Sequence, residues 1–315
     1  MQEGIPLSPY TNWKIGGKAS YFVIARATDE ILTSLDFAKE RRLPVAILGG
    51  GSNVLVSDDG FPGVVLKIDL QELVCEGTRI TAGAGVPMGR VATYSMQQNL
   101  AGLEWAVGIP GTLGGAVFGN SNCFGGATGR HLIAAEILDP QARATPLIRS
   151  VDREYFKFSY DYSILQETKE ILIRATFDLQ AKNPEEMRGI RESIAKVAAE
   201  RAARQPLGKA CAGSTFKALI PTDEVIAKLQ TRLPNWREGL RDGYISAGFI
   251  IDRGLGLKGY RLGNMQISDL HANFFINLGG ASAKNAKELI DFVKNKCQNT
   301  FDISLEEEIK YTGKF

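Results

Sequence analysis

Gly108-Ile109-Pro110-Gly111-Thr112-Leu113-Gly114-Gly115-Ala116 opens a stretch, residues 108–126, that concentrates seven glycines: Gly108, Gly111, Gly114, Gly115, Gly119, Gly125 and Gly126. Glycine gives up more conformational freedom on folding than any other residue. Such density is therefore costly unless a ligand or a second backbone packs closely against it. A second loop, Gly49-Gly50-Gly51-Ser52-Asn53, follows a buried-strand pattern at 45–48. Consecutive backbone N–H groups can converge on an anion where glycine frees the chain, so both loops are candidate phosphate nests. Neither is a common nucleotide motif. No Gly-Lys-Ser/Thr follows the first loop, a strand pattern at 54–56 stands where a dinucleotide fingerprint needs a helix, and 111–115 misses the GxGxxG spacing. Read alone, Gly49–Asn53 is also consistent with a plain tight turn.

Working outward, Thr28 can cap a helix with Ile31, Leu32, Leu35 and Ala38 on one face, ended by Leu43-Pro44. Strand patterns follow at 45–48, 54–56 and 64–68, so residues 1–68 read as a small α+β lobe. Residues 69–206 continue with a strand near 79–82 and a helix after Pro87 bearing Met88, Val91, Ala92 and Met96. In the run 170–179, Ile171, Ile173, Ala175, Phe177 and Leu179 alternate onto one strand face. Asn183-Pro184-Glu185-Glu186 combines a cap, a proline at the first helical position and first-turn acids, opening a helix that stops before Pro206. Residues 207–315 form the third expected lobe, with a strand at 272–277, a helix capped by Ser282 and a terminal strand at 306–312.

The chain has 315 residues, more than one core usually organises, which points to two or three lobes. It is 44% hydrophobic and 23% charged with a net charge of +2, an ordinary globular balance with no electrostatic footprint for nucleic acid or an anionic membrane. No apolar run approaches the ~20 residues of a membrane span. The first residues also lack a signal peptide's basic and apolar regions, so a cytoplasmic protein is expected. Four scattered cysteines and two histidines make a metal site an unpromising reading.

Several runs occur in a fixed order: Thr11-Asn12-Trp13-Lys14-Ile15-Gly16-Gly17, Leu48 to Asn53, Gly102-Leu103-Glu104-Trp105, Gly108 to Ala116, Ala212-Gly213-Ser214-Thr215-Phe216-Lys217, His271-Ala272-Asn273-Phe274 and Glu308-Ile309-Lys310. Together they resemble the UDP-N-acetylenolpyruvoylglucosamine reductase family over nearly the whole chain. The resemblance implies an α+β fold of the p-cresol methylhydroxylase type. Two lobes (1–68 and 69–206) would hold FAD non-covalently, and a substrate lobe (207–315) would send its C-terminal strand back to the active site. It implies that Gly49, Gly50, Gly51, Ser52 and Asn53, with Gly108, Ile109, Pro110, Gly111, Thr112, Gly114 and Gly115, wrap the cofactor. The short span between Ser163 and the 171–179 strand is similar to the shorter subtype of the family.

The implied chemistry is reduction of a UDP-sugar enolpyruvyl ether with NADPH as co-substrate, one cleft serving both in turn, for cell-wall precursor synthesis. The family's proton donor falls on Ser214 and its C-terminal glutamate on Glu308, while Tyr160 and Lys217 fall at substrate-contact positions. By local sequence alone, Ser214 is a turn residue, Glu308 lies on a solvated strand face with Glu306 and Lys310, and His271 is a structural hydrogen-bonding residue. Three departures stand out. Tyr160-Asp161-Tyr162-Ser163 carries Asp161 where the family has arginine, and an anion there repels a substrate carboxylate; Arg174 or Lys217 could supply the missing charge. Ala218-Leu219 follows Phe216-Lys217 where asparagine and proline are usual, ahead of a segment, 220–244, that is inserted or rewritten relative to the family. Asn120-Ser121-Asn122-Cys123 replaces the usual asparagine-alanine-glycine-alanine. An altered substrate on the same flavin scaffold, or a non-catalytic FAD or UDP-sugar binding protein, are the alternatives these departures keep open.

Overall fold

The first helix ends at Glu40, short of the expected Leu43-Pro44, with Arg42 left-handed at φ 53°; after Pro44 the β-rich run Val45–Leu48 forms a strand that pairs in parallel with Phe61–Ile68. The computed structural model, which describes residues 1–141 and 148–315, places both in a four-stranded sheet. Its order is Gln2–Pro6, Lys18–Ala25, Phe61–Ile68, Val45–Leu48. The described residues form two compact units: residues 1–5, 19–50 and 62–199 make the first, and residues 6–18, 51–61 and 200–315 the second.

In the first unit the helix runs Thr28–Glu40, but Ala27 is its N-cap and Thr28 already helical. Sequence reading placed the cap on Thr28. The Glu30 carboxylate reaches back to accept the Arg26 and Ala27 N–H groups at 2.6 and 3.1 Å, while no side chain caps the helix's own first-turn donors. A five-stranded sheet follows, ordered Ile148–Asp152, Leu132–Leu138, Ile171–Asp178, Arg79–Gly83, Leu73–Glu76. Ile171, Ile173, Ala175 and Phe177 are buried as their alternation requires, and Leu172 of the other face is buried as well. One continuous core takes Ile31 and Leu66 together with Ile80, Val91, Leu113 and Phe177, residues drawn from both sides of position 68. The helix Pro184–Arg204 begins as its sequence dictates: Asn183 Oδ1 accepts the N–H groups of Glu185 and Glu186 at 3.0 and 2.9 Å. Arg149 and Tyr155 both donate to the buried Glu170 carboxylate, closing the far edge of the unit.

The second unit is built on a four-stranded sheet, ordered Ala210–Ser214, Phe274–Asn277, Met265–Ile267, Arg261–Leu262. Trp13 is fully buried against it, donating Nε1–H to the Phe275 carbonyl at 2.7 Å and accepting from Asn277 Nδ2 at 2.8 Å through its own carbonyl. That explains why a segment from the start of the chain belongs here. The C-terminal strand Lys310–Thr312 pairs in parallel with Val54–Val56, which draws residues 51–61 into this unit as well. Leu219 and Ile245 exchange both backbone hydrogen bonds, at 2.9 and 2.8 Å. The segment between them therefore leaves and returns at one neck. Its helix Asp223–Gln230 and the turn after it plug Leu229 and Trp236 into the core.

The long helix Ala283–Phe301 is capped twice. Ser282 Oγ accepts the Asn285 N–H at 3.1 Å, and Asp58 accepts the Ala283 and Lys284 N–H groups at 2.7 and 2.9 Å. Losing a carboxylate from two first-turn donors should cost about 1–2 kcal/mol. Asp58→Ala is accordingly expected to lower the urea midpoint, whereas Asp59→Ala, with an exposed side chain, should leave it within about 0.5 kcal/mol of the parent. No described helix is long and apolar enough to cross a membrane.

Candidate active site

The two glycine loops meet main chain to main chain in the first unit. A Cβ built on Gly49 would lie 2.6 Å from Thr112 Oγ1, and one on Gly50 would lie 2.7 Å from the Gly111 Cα. A methyl on Gly50 would meet backbone that cannot turn aside, and one on Gly49 would displace the Thr112 hydroxyl. Residues 111–114 are fixed there by three backbone bonds, Met88 N–H to Gly111 O, Leu113 N–H to Val86 O and Gly114 N–H to Ala84 O, at 3.0, 2.8 and 2.8 Å. Gly108 and Gly111 adopt φ of 75° and 106°, conformations that other residues enter only with strain. Ile109 packs on the core, Pro110 and Gly115 are exposed, and Lys67 Nζ donates to the Gly49 carbonyl at 3.1 Å. The Thr112 hydroxyl, though buried, has no hydrogen-bond partner among the described residues. A buried hydroxyl of that kind is costly unless a further group completes it.

In the second unit, Gly51 takes φ 65° with its Cα pressed to the Tyr10 carbonyl, and its own carbonyl accepts the Asn12 N–H at 2.9 Å. This contact ties the first glycine loop to the Thr11–Gly17 run. Ser52 and Asn53 are half-buried, and Asn53 Oδ1 is a second buried polar atom without a partner among the described residues. In the first unit, the bare-backbone cradle of Gly49–Gly50 against Gly111–Thr112, with the orphaned Thr112 hydroxyl, suits a large polar prosthetic group. The residues present fit FAD.

Ser214 ends the strand Ala210–Ser214, opposite Phe274. The register slips between Cys211 and Ser214, and Gly213 occupies the slip at φ 74°. The glycine of the Ala-Gly-Ser run thus makes a bulge, which re-aims the residue that follows it. The chain beyond Ser214 is paired antiparallel with the C-terminal segment. Glu308 N–H donates to the Thr215 carbonyl at 2.9 Å, Lys217 N–H donates to the Glu306 carbonyl at 2.9 Å, and Phe216 bridges Glu307. Asn53 Nδ2 donates to the Glu308 carbonyl at 3.2 Å, and Lys310 N–H donates to the Asn53 carbonyl at 3.0 Å. Four residues singled out in the sequence (Asn53, Ser214, Lys217 and Glu308) are thereby assembled within one unit.

Asn273 is the residue that sequence reasoning passed over. Its Oδ1 accepts the Phe216 N–H at 3.0 Å, its Nδ2 donates to the Phe216 carbonyl at 2.8 Å, and its own carbonyl takes the Thr215 N–H at 2.8 Å. It clamps the backbone directly after Ser214. The only available signal was its place in the His271–Phe274 run. His271 Nδ1 accepts the Asn273 N–H at 3.2 Å, and burial holds its imidazole below the usual range, in keeping with a structural role.

Tyr160 and Asp161 lie in the first unit, half-buried, on a loop zipped to residues 118–122. Asn120 Nδ2 donates to the Ser159 carbonyl at 2.8 Å, Asn122 Nδ2 to Asp161 Oδ1 at 3.0 Å, and Ser163 Oγ to the Phe118 carbonyl at 2.8 Å. Two of the sequence departures, Asn122 and Asp161, are therefore direct partners. Asp161 itself is left-handed, at φ 50°. The cations considered as replacements are both engaged. Arg174 is held by Glu136 and Glu72 at 2.8 and 3.2 Å, and Lys217 Nζ is bound by the Glu306 carboxylate.

A family model for an FAD binding domain matches residues 19–145, and one for the C-terminal domain of UDP-N-acetylenolpyruvoylglucosamine reductase matches residues 205–312. The chain is 33% identical to the UDP-N-acetylenolpyruvoylglucosamine reductase of Synechococcus sp. (strain WH7803), over 99% of this chain and 93% of that protein. It is 36% identical to that of Lachnoclostridium phytofermentans, over 98% of this chain and 91% of that protein. The crystal structure of the Thermus caldophilus UDP-N-acetylenolpyruvylglucosamine reductase superposes with a TM-score of 0.76 at 28% identity, covering 98% of both chains. The α+β architecture is thus the FAD-binding fold of the p-cresol methylhydroxylase type. With its glycine cradle and its Thr215–Glu308 pairing in place, the chain belongs to the UDP-N-acetylenolpyruvoylglucosamine reductase family of FAD-containing oxidoreductases.

Proposed function

We propose that this oxidoreductase consumes NADPH to reduce the enolpyruvyl ether of UDP-N-acetylglucosamine to UDP-N-acetylmuramate, a peptidoglycan precursor, in the cytoplasm. Residues 1–68 and 69–206 would serve the cofactor and 207–315 the sugar. The flavin's chemistry when bound is hydride transfer, accepted from NADPH and passed to the vinyl carbon. The chain's own residues must hold the cofactor, orient the sugar and complete the reduction with a proton. Gly49 to Asn53 and Gly108 to Gly115 hold the cofactor with main chain. Ser214 supplies the proton to the carbon beside the one reduced, and Glu308 lies along the same paired segment. Tyr160 and Lys217 contact the sugar. The observation that supports this reading is the antiparallel pairing of residues 215–217 with 306–308, in which Glu308 bonds Thr215, the neighbour of Ser214, and accepts from Asn53.

The test is anaerobic. NADPH added to the yellow protein should bleach the flavin, and the UDP-enolpyruvyl sugar should then restore the colour. Bleaching without recovery would rule out this substrate, and no bleaching at all would favour a binding protein.

The Asn122–Asp161 hydrogen bond favours a second reading, a substrate altered on the same scaffold, because it fixes an anion where a substrate carboxylate needs a cation. Under the leading reading, Asp161→Arg is expected to raise turnover of the sugar by about 10–150-fold through the gain of a charge-assisted contact of roughly 1.5–3 kcal/mol. A clear loss in the steady-state rate would show that another cation already serves.

A further inference from the structure

Glu307 lies between Glu306 and Glu308, and neighbouring residues of an extended segment point to opposite sides. The two sides differ here. Glu306 is exposed and bound by Lys217, while Glu307 has a side chain only 13% exposed. Both Glu307 carboxylate oxygens are used: Oε1 accepts from Lys294 Nζ at 2.6 Å, and Oε2 accepts from the Tyr311 hydroxyl. Lys294 stands on the helix Ala283–Phe301 and Tyr311 on the strand Lys310–Thr312, which is itself paired to Val54–Val56. One carboxylate thus fastens three elements at the point where residues 306–308 meet 215–217.

We propose that Glu307 is a positioning residue that fixes Glu308 beside the Ser214–Thr215 backbone, and so sets the geometry of the sugar-reducing step. This rests on the role given to Glu308 above. The segment has no regular secondary structure at 303–306 and no buried helix of its own. Its register is held by the bridge at Phe216, the flanking Glu308–Thr215 and Lys217–Glu306 backbone bonds, the Asn53 amide on the Glu308 carbonyl, the buried Leu305 and Ile309 on either side, and this side-chain anchor. Burial by itself would raise the Glu307 carboxyl, but the hydrogen bonds from Lys294 and Tyr311 outweigh it and hold the group below the usual carboxylate range. Burial and the neighbouring Glu307 carboxylate in turn push the Tyr311 hydroxyl far up, so it remains a donor. The Lys287–Asp291 ion pair and the Lys287 ammonium, 6.0 Å from the Tyr311 ring, complete the surroundings on the helix side.

The test compares Glu307→Ala and Glu307→Gln in the FAD-loaded protein, with backbone hydrogen exchange as one readout and the two half-reactions as the other. Glutamine can still accept from Lys294 and donate to Tyr311, so it serves as the conservative rescue. Alanine should speed exchange in peptides covering 306–310 and 214–217 by tenfold or more, leave flavin reduction by NADPH unchanged, and slow sugar reduction by about 10–100-fold, the scale of a roughly 1 Å misplacement. Glutamine should restore most of both. Unchanged exchange, or equal losses in the two half-reactions, would overturn the proposal. Faster exchange with sugar reduction untouched would also overturn it. Glu308→Gln, made alongside, then shows whether the fault lies in the anchor or in the role of Glu308, since an equally silent Glu308→Gln places it in the latter.

Discussion

Ser214→Ala should leave the protein yellow, folded and reducible by NADPH, while sugar reduction falls by about 10²–10⁴-fold, the usual contribution of a positioned acid. The asymmetry is the point of the experiment. On the proposed function, hydride acceptance from NADPH needs only the cofactor cradle, which we assign to Gly49, Gly50 and the run Gly108 to Gly115. The second half-reaction needs, in addition, a proton at the carbon next to the reduced one. An isolated serine hydroxyl is a feeble acid, so its effect must come from placement. The structure supplies placement: Gly213 makes the bulge before it, the Asn273 side chain clamps Phe216 two residues after it, and Thr215 on its C-terminal side is paired to Glu308. Single-turnover absorbance of the flavin separates the steps. Equal losses in both half-reactions would remove Ser214 from the proton-donor role. Gly213→Ala should reproduce part of the defect, because alanine at φ 74° costs about 1 kcal/mol or more and disturbs the bulge.

The residues that proved legible in the sequence are those whose job is local. Asn183-Pro184 announces a helix start and Ser282 a cap, and each is found in the role its own chemistry dictates, whereas Ser214, a turn residue by local sequence, ends a strand opposite Phe274. The strand Val45–Leu48 ends where its glycines begin for the same reason. The misplaced cap at Thr28 shows the limit, since two local solutions competed and Glu30 won by reaching back to two donors. Partnerships across long stretches of chain were not legible. Asn273 and Phe216 are separated by 57 positions, Asn122 and Asp161 by 39, and nothing in either local run says that an amide will face that backbone or that carboxylate. The same holds for Val54–Val56, whose pattern says strand but not that its partner is Lys310–Thr312 at the other end of the chain. Periodicity reports which face is apolar; it carries no address for the neighbour.

Gly50→Ala is expected to yield protein that is folded but pale. The added methyl would stand 2.7 Å from the Gly111 Cα and 3.2 Å from its carbonyl carbon, both backbone atoms that cannot turn aside as a side chain could. One loop must move, and residues 111–114 are pinned by the Met88, Val86 and Ala84 hydrogen bonds, so the shift falls largely on the Gly49–Gly50 side. Overpacking of this kind costs about 1–3 kcal/mol. Expressed at the cradle, that weakens FAD binding by roughly 5–150-fold, since each 1.4 kcal/mol is a factor of ten. Gly50 is not left-handed, so space rather than φ is what the substitution violates. Gly119→Ala provides the contrast: it lies in the helix Leu113–Gly119 with nothing within 4 Å of its would-be Cβ, and it should keep full colour. Titration of the apoprotein with FAD, followed by flavin fluorescence quenching, reads the two affinities directly. If Gly50→Ala bound FAD as tightly as the parent, close backbone approach between the loops would not be what holds the cofactor, and the glycines of 108–115 would need another explanation.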